Sequence, residues 1–303
     1  MIKAGFAGDD APRVVFPTVV GRAAGTKDSV VGEEALSKRD SLNLNHPIKC
    51  GLITNWDDME RIWTYTFNEL RTTAEDHPIL MSESALNSKQ NRERMTQMMF
   101  EGFNAHSLFV QSQAVLSLYS SGRTSGVVVD SGDGATFMVP VHEGYPIQAA
   151  VERLDVAGQK LTDHMMSLLK KRGYSFNTEA DRDIARDIKE KLCFVRDSPD
   201  SELSADVQAT LDKTYEMPDG SVIHVGEERY QCPEALFRPT MIDVESDGIA
   251  EITYLSMMHC DPDIRKDLCS NVVLAGGSSM FGGMPERMQQ DLLNVAPSSF
   301  KVG

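Results

Sequence analysis

Three consecutive β-branched residues followed by a glycine-rich turn constrain this chain more than any other feature. Residues 126–136 read Gly-Val-Val-Val-Asp-Ser-Gly-Asp-Gly-Ala-Thr, and a second apolar run follows at 137–141. A run of apolar β-branched residues is typical of a strand that is buried on both faces. A short glycine turn between two such runs predicts a β-hairpin whose first strand lies inside a sheet.

The turn of this hairpin combines glycines with a carboxylate. Gly132 and Gly134 allow a tight turn whose backbone N–H groups can point at an anion. The carboxylate of Asp130 would repel a bare phosphate, but it could hold Mg²⁺ against one, directly or through water. Residues 271–280 add a strand, a Gly-Gly turn and a helix start, an order that also builds anion sites. An ordinary structural hairpin is the alternative, because Asp and Gly favour turns and short glycine motifs often match by chance.

Shorter patterns predict the framework around these motifs. Asn55 precedes apolar residues at helical spacing and predicts a capped helix start. Thr178 with Asp181 predicts a capping pair, and Pro-Asp-Gly at 218–220 predicts a hairpin turn. The polar stretch 37–45 predicts a surface loop.

Several longer blocks carry a family resemblance. They are residues 113–136, Lys-Ala-Gly-Phe-Ala-Gly-Asp-Asp-Ala-Pro-Arg at 3–13, Thr-Asn-Trp-Asp-Asp-Met-Glu at 54–60, Asn-Glu-Leu-Arg at 68–71 and Arg-Asp-Ile-Lys-Glu-Lys-Leu-Cys at 186–193. In this order they resemble actin, and the resemblance runs from residue 3 to about residue 301.

The resemblance implies an α/β fold of the two-domain type shared by actin, hexokinase and the heat-shock ATPases, with a nucleotide cleft. The first domain would cover 1–120, with a small outer subdomain at 18–46. The second would cover 121–303, with an outer subdomain at 157–244.

The resemblance also implies a site for ATP or ADP with Mg²⁺. Gln113 and Asp130 would be the catalytic residues, Gln113 by ordering the attacking water and Asp130 by holding Mg²⁺, directly or through water. The other residues that would contact the nucleotide are Lys3, Gly132, Asp133 and Gly134 at the phosphates, Asp155, Gly158, Lys189 and Glu190 near the ribose and adenine, and Gly276, Gly277, Ser278, Met280 and Phe281 around the phosphates and the base.

Five of these residues have structural alternatives. Lys3 could be a solvated lysine near a flexible terminus, and Gln113 a polar residue at a helix start. Asp155 could cap a helix. Lys189 could form an exposed charged pair with Glu190.

One departure from the family pattern bears on catalysis. Phe137 stands where actin has a histidine that helps to position the hydrolytic water. Phenylalanine has no hydrogen-bond donor or acceptor, so it can neither orient water nor relay a proton. We expect phosphate binding to survive this change and hydrolysis to be weak or absent.

Other departures bear on assembly. Only Ala-Ala-Gly-Thr separates Arg22 from Lys27, where actin has the long loop that inserts into the next filament subunit; a tight turn is expected instead. The plug-like stretch 237–260 is charged at Arg238, Asp243, Glu245 and Asp247. The chain also begins after the family's first phosphate hairpin and stops before its C-terminal segment, so the first domain is expected to be incomplete. Self-assembly into filaments is therefore not expected.

Composition narrows the classes of partner. A net charge of −15 argues against direct binding to nucleic acid or anionic membranes. No apolar run approaches the roughly 20 residues that span a bilayer. The five cysteines form no Cys-x-x-Cys pair, which is typical of reduced thiols in the cytosol or nucleus, and with scattered histidines it predicts no His/Cys metal site.

Two functions follow from these observations. The first is an actin-like cytoskeletal protein of the cytoplasm that binds ATP and hydrolyses it weakly or not at all, with actin-binding proteins or ordinary actin as partners. The second is an interaction module without nucleotide, either a component of a cytoskeletal or nuclear chromatin complex or a truncated gene product. A sugar kinase shares the architecture, but the matched blocks are those of actin.

Overall fold

The computed structural model describes residues 1–23, 25, 28–198, 211–298 and 300–303. These residues divide into two units, Met1–Ser112 and Gln113–Gly303. The expected boundary at residue 120 differs from the observed one by the eight residues of a single helix, Gln113–Ser120. That helix packs on the sheet of the second unit and therefore belongs to it.

Short strands dominate the first unit. Its strands are β1 (Ile2–Ala4), β2 (Val14–Phe16), β3 (Val20–Arg22), β4 (Ser29–Val31), β5 (Asn43–Asn45), β6 (Ile48–Lys49), β7 (Leu52–Ile53), β8 (Pro78–Glu83) and β9 (Ser107–Ser112), and its helices are α1 (Glu33–Ser37), α2 (Trp56–Leu70) and α3 (Lys89–Gln97).

Helix α2 organises the core of the first unit. Asn55 caps it as predicted, because its side chain accepts a hydrogen bond from the Asp58 N–H at 3.1 Å. The predicted apolar stripe of α2 packs inward. The buried Asp58 carboxylate accepts hydrogen bonds from Arg22 of β3 and Asn45 of β5. These bonds hold the small three-stranded sheet against the helix.

The small sheet bears on two predictions, the surface loop at 37–45 and the tight turn after Arg22. Its strand order is β4-β3-β5, so the stretch 37–45 ends in a strand and is not wholly a surface loop. Strands β3 and β4 pair antiparallel with Arg22 opposite Ser29, which agrees with a short connection. Residues 24, 26 and 27 of the predicted turn lie outside the described residues.

The second unit has longer helices. Its helices are α4 (Gln113–Ser120), α5 (Gly158–Lys171), α6 (Glu179–Leu192), α7 (Glu228–Glu234), α8 (Ile249–Met258), α9 (Pro262–Cys269) and α10 (Met284–Val295), and its strands are β10 (Gly126–Ser131), β11 (Thr136–His142), β12 (Tyr145–Pro146), β13 (Glu152–Leu154), β14 (Lys213–Glu216), β15 (Val222–Val225) and β16 (Val272–Ala275).

The predicted hairpin lies at the centre of this unit. Strand β10 pairs antiparallel with β11 and parallel with β16, while β12 and β13 both pair with β11. Val127, Val128 and Val129 are fully buried. Val127 and Val129 face the main core with α8 and α9, and α4 packs on the opposite face. The strand is therefore covered on both faces, as its sequence predicts.

Local motifs around the sheet also match their predictions. Thr178 and Asp181 form a capping box at the start of α6. Strands β14 and β15 form a hairpin around the Pro-Asp-Gly turn, with the Met217 N–H donating to Ser221 O at 2.8 Å. In the part of the chain that the structure describes, no helix combines the length and apolar character needed to cross a membrane.

Candidate functional site

The hairpin turn offers unused backbone donors. It spans residues 132–135 between β10 and β11 and is closed by a hydrogen bond from the Gly132 N–H to Ala135 O at 3.4 Å. The N–H groups of Asp133 and Gly134 have no acceptor among the described residues. Unpaired N–H groups in a glycine turn are suited to binding an anion.

Two other segments hold the turn in place. The carbonyl of Gly132 accepts hydrogen bonds from the Gly158 N–H at 3.0 Å and from Ser278 Oγ at 2.8 Å. The carbonyl of Asp133 accepts from the Gln159 N–H at 2.9 Å. The turn, the start of α5 and the Gly-Gly segment after β16 therefore meet at one place. The sequence predicted residues in all three segments, and the structure brings them together.

Gly276 allows the closest of these approaches. Strand β16 runs beside β10 with Ala275 opposite Asp130, and the next residue, Gly276, has φ of +86°. A Cβ at Gly276 would lie 2.7 Å from Asp130 Oδ1 and closer still to the carbonyl oxygen of Ser131. Only glycine fits without a shift of the backbone. By contrast, a Cβ at Gly277 would meet no atom within 4 Å.

Asp130 is an unpaired, half-buried carboxylate at the centre of this arrangement. No hydrogen bond or ion pair to its side chain is found within the described part of the chain. Burial raises the pKa of the Asp130 carboxyl above its ordinary value, because desolvation disfavours the charged form. A divalent cation would offset that cost, and carboxylate oxygen is a ligand that Mg²⁺ accepts. The carboxylate and the free N–H groups fit Mg²⁺ with a phosphate, and the missing side chain at Gly276 lets its backbone approach Asp130 closely.

Lys189 has a different environment from the one expected. Its side chain is only 4% exposed, so the exposed-pair alternative is wrong for Lys189, although Glu190 is exposed. The Lys189 ammonium donates to Gly158 O at 2.7 Å and to Thr162 Oγ1 at 2.9 Å. Burial lowers its pKa. Lys189 thus ties α6 to the first turn of α5.

Asp155 lies on the surface before α5. Its Oδ1 accepts a hydrogen bond from Arg153 Nε at 2.6 Å, which leaves Oδ2 outside that contact. The alternative that Asp155 caps α5 is wrong, because the N-cap is Ala157 and no side chain caps this helix. The first two N–H groups of α5, those of Gly158 and Gln159, are satisfied instead by the carbonyls of Gly132 and Asp133 in the glycine turn.

Gln159 is a site residue that sequence reasoning missed. Besides its backbone bond to the turn, its Nε2 donates to Asp133 Oδ2 at 2.7 Å. Its place directly after Gly158 in the first helical turn was the available signal. An amide there holds the Asp133 carboxylate against the helix start.

The segment after Gly277 presents methionine and buries phenylalanine. Met280 is 82% exposed, whereas Phe281 is 8% exposed and packs in the main core. The aromatic face expected from Phe281 is therefore not open to solvent. Ser278 is buried, and its hydroxyl donates to the Gly132 carbonyl of the turn.

Gln113 and Lys3 are the remaining predicted residues, and they lie on elements outside the turn. Gln113 is exposed at the first position of α4. Leu118, near the other end of α4, lies beside Gly126 at the start of β10. Lys3 is exposed in β1 of the first unit, opposite Val15. The residues brought together at the turn all belong to the second unit.

The described residues lack a cluster of protein metal ligands. They contain no group of three or more His, Cys, Asp or Glu side chains arranged to hold a metal ion. All five cysteines are free thiols. Any cation at Asp130 would accordingly rely on that one carboxylate together with water and the ligand's own oxygens.

Comparison with known protein families gives a match over the full sequence. The family model described as actin matches residues 1–303. The mixed α/β architecture, with its helices and several sheets, is consistent with that fold and confirms the predicted fold class.

Proposed function

The chain belongs to the actin family, and we propose that it is an actin-like cytoskeletal protein that binds ATP or ADP with Mg²⁺. Members of the family generally bind these nucleotides with a divalent metal. One observation supports the proposal above the others. Asp130 is a desolvated carboxylate with no partner among the described residues, and it stands near the end of β10, just before a turn whose Asp133 and Gly134 N–H groups have no acceptor there.

The residues of the second unit suggest how the ligand would be held. The N–H groups of Asp133 and Gly134 would donate to phosphate oxygens, and Asp130 would accept the cation's charge. The exposed residues Asp155 and Met280 would contact the ribose and the base. Lys189 would act indirectly, by holding the start of α5 in place through Gly158.

We further propose that hydrolysis is weak or absent. Phe137 lies next to Asp130 across the hairpin, and its ring is buried without any polar atom. Gln113 alone would have to order the attacking water. Loss of a proton-transfer partner typically costs roughly 10²–10⁴-fold in rate.

The proposed setting follows from the family and the charge. A cytoplasmic, cytoskeletal location agrees with reduced cysteines, and a net charge of −15 favours basic protein surfaces over nucleic acid. Actin-binding proteins or ordinary actin are the proposed partners.

A thermal-shift experiment tests nucleotide binding. A ligand that binds only the folded state at 100 times its Kd stabilises it by about 2.7 kcal/mol. We expect ATP with Mg²⁺ to raise the Tm of the parent chain, and EDTA to abolish the rise. Asp130→Asn should lose most of it, while the matched control Glu216→Gln, at an exposed strand end, should keep it. Equal shifts for the parent and Asp130→Asn, with and without EDTA, would remove the assignment.

One observation favours a second candidate function. In the first unit, Leu80 of β8 and Phe109 of β9 are register partners and are 57% and 61% exposed. Adjacent exposed apolar residues are typical of a protein-binding surface. A chain that gains no stability from ATP with Mg²⁺ would therefore be assigned as an interaction module, in a cytoskeletal or chromatin complex.

A further inference from the structure

Three side chains form a row across neighbouring strands of the second unit. The register pairs Asp130 of β10 with Phe137 of β11, and Phe137 with Arg153 of β13. Residues directly opposite each other in antiparallel strands point to the same face of a sheet. The row therefore consists of a carboxylate, an aromatic ring and a guanidinium group, in that order.

The two charged groups of the row do not pair with each other. Arg153 bonds to Asp155, and its guanidinium carbon lies 5.9 Å from the centroid of the Phe137 ring. Asp130 has no ion-pair partner within the described residues. The buried ring of Phe137 stands between them.

Without the ring, the two charges could meet. Two strand spacings separate their backbones by roughly 9.6 Å, a gap that a long arginine and an aspartate can close to hydrogen-bond distance. The present Arg153–Asp155 pair is largely exposed, and exposed pairs contribute little. It would not keep Arg153 from a half-buried carboxylate, where the attraction is less screened.

We propose that Phe137 is a positioning residue whose ring keeps Arg153 from neutralising Asp130 and so leaves this carboxylate open to a divalent cation. The cation rests on the proposed function, whereas the separation of the two charges rests on the strand register alone. A residue that merely filled space would affect stability when truncated, but it would not create a new interaction between Asp130 and Arg153.

A double-mutant cycle in two backgrounds tests the separation directly. Asp130→Asn, Arg153→Gln and the double variant are unfolded with urea in EDTA, without nucleotide, first with Phe137 and then with Phe137→Ala. We expect the two effects to be independent in the parent and coupled by roughly fivefold or more in the unfolding constant of the alanine background. Phe137→Val serves if the alanine variant does not fold. Phe137→Tyr, which keeps the ring, is the control and should show no coupling.

A second measurement connects the row to the cation. With ATP present, the Mg²⁺ concentration that gives half of the thermal shift should rise in Phe137→Ala and return toward the parental value in Phe137→Ala/Arg153→Gln. Rescue by loss of Arg153 is an outcome that simple loss of packing would not produce. A parent chain without any Mg²⁺-dependent shift would contradict the proposed function, and the urea cycle would still decide the role of Phe137. Absence of new coupling in both the alanine and valine backgrounds would overturn the inference.

Discussion

Replacing Gly276 by alanine should destabilise the second unit, and the structure supplies the magnitude. Gly276 has φ of +86° and ψ of +161°, a region that essentially only glycine occupies and that costs an L-residue about 1–3 kcal/mol. The new Cβ would lie 2.7 Å from Asp130 Oδ1 and closer still to Ser131 O, and overpacking of this kind costs about 1–3 kcal/mol. Together these effects lower the free energy of unfolding by about 2–6 kcal/mol.

Thermal unfolding followed by circular dichroism measures this loss. For a unit of this size each kcal/mol changes the Tm by about 2–4 °C, so the expected decrease is roughly 4–24 °C. Gly277→Ala is the matched control, because its Cβ would meet no atom within 4 Å. We expect that variant to stay within about 0.5 kcal/mol of the parent. Equal melting temperatures for the two alanine variants would refute the close approach of Gly276 to β10.

Three further predictions concern catalysis, the start of α5 and assembly. Phe137→His should raise the single-turnover rate of ATP hydrolysis, because it adds a polar group beside Asp130; an unchanged rate would show that Phe137 does not limit the chemistry. Lys189→Met should cost about 1–3 kcal/mol in urea unfolding, since two hydrogen bonds to Gly158 and Thr162 are lost. Burial holds the pKa of Lys189 in the folded chain below the ordinary value of 10.5. Between these two pKa values the unfolded chain binds more protons than the folded chain, so folding becomes more favourable as the pH rises. The stability of the parent relative to the methionine variant should therefore increase with pH just below 10.5. The purified chain should form no two-stranded filaments in Mg²⁺, KCl and ATP, because the connection at 23–28 is short and the 243–247 stretch is acidic; regular filaments in electron micrographs would contradict this.

Patterns confined to a few neighbouring residues allowed much of the fold to be predicted. The run of valines required a strand covered on both faces, and β10 has α4 on one face and α8 with α9 on the other. The caps at Asn55 and Thr178 depend only on bonds within one helical turn. The glycine turn followed from conformational freedom, which glycine has in any context.

Side-chain roles at the site were harder to predict, because they depend on how separate helices meet. Lys189 looks like half of a charged pair along α6, yet α5 covers it and takes both of its hydrogen bonds. Phe281 looks like an open ring beside Met280, yet it faces the core. Gln159 carries no motif, and only the meeting of α5 with the hairpin makes it a partner of Asp133.

The sequence by itself therefore determined the family, the central hairpin and the residue types gathered at its turn, since blocks of identity and local backbone preferences are written along the chain. Tertiary structure alone decided which of those residues remain available. Asp130 stays unpaired because the strand register sets the ring of Phe137 between it and Arg153, whereas Lys189 is occupied because α5 and α6 pack together. Register and helix packing join residues that are distant in sequence, and burial then determines whether a charge must find a partner within the protein or can accept one from outside.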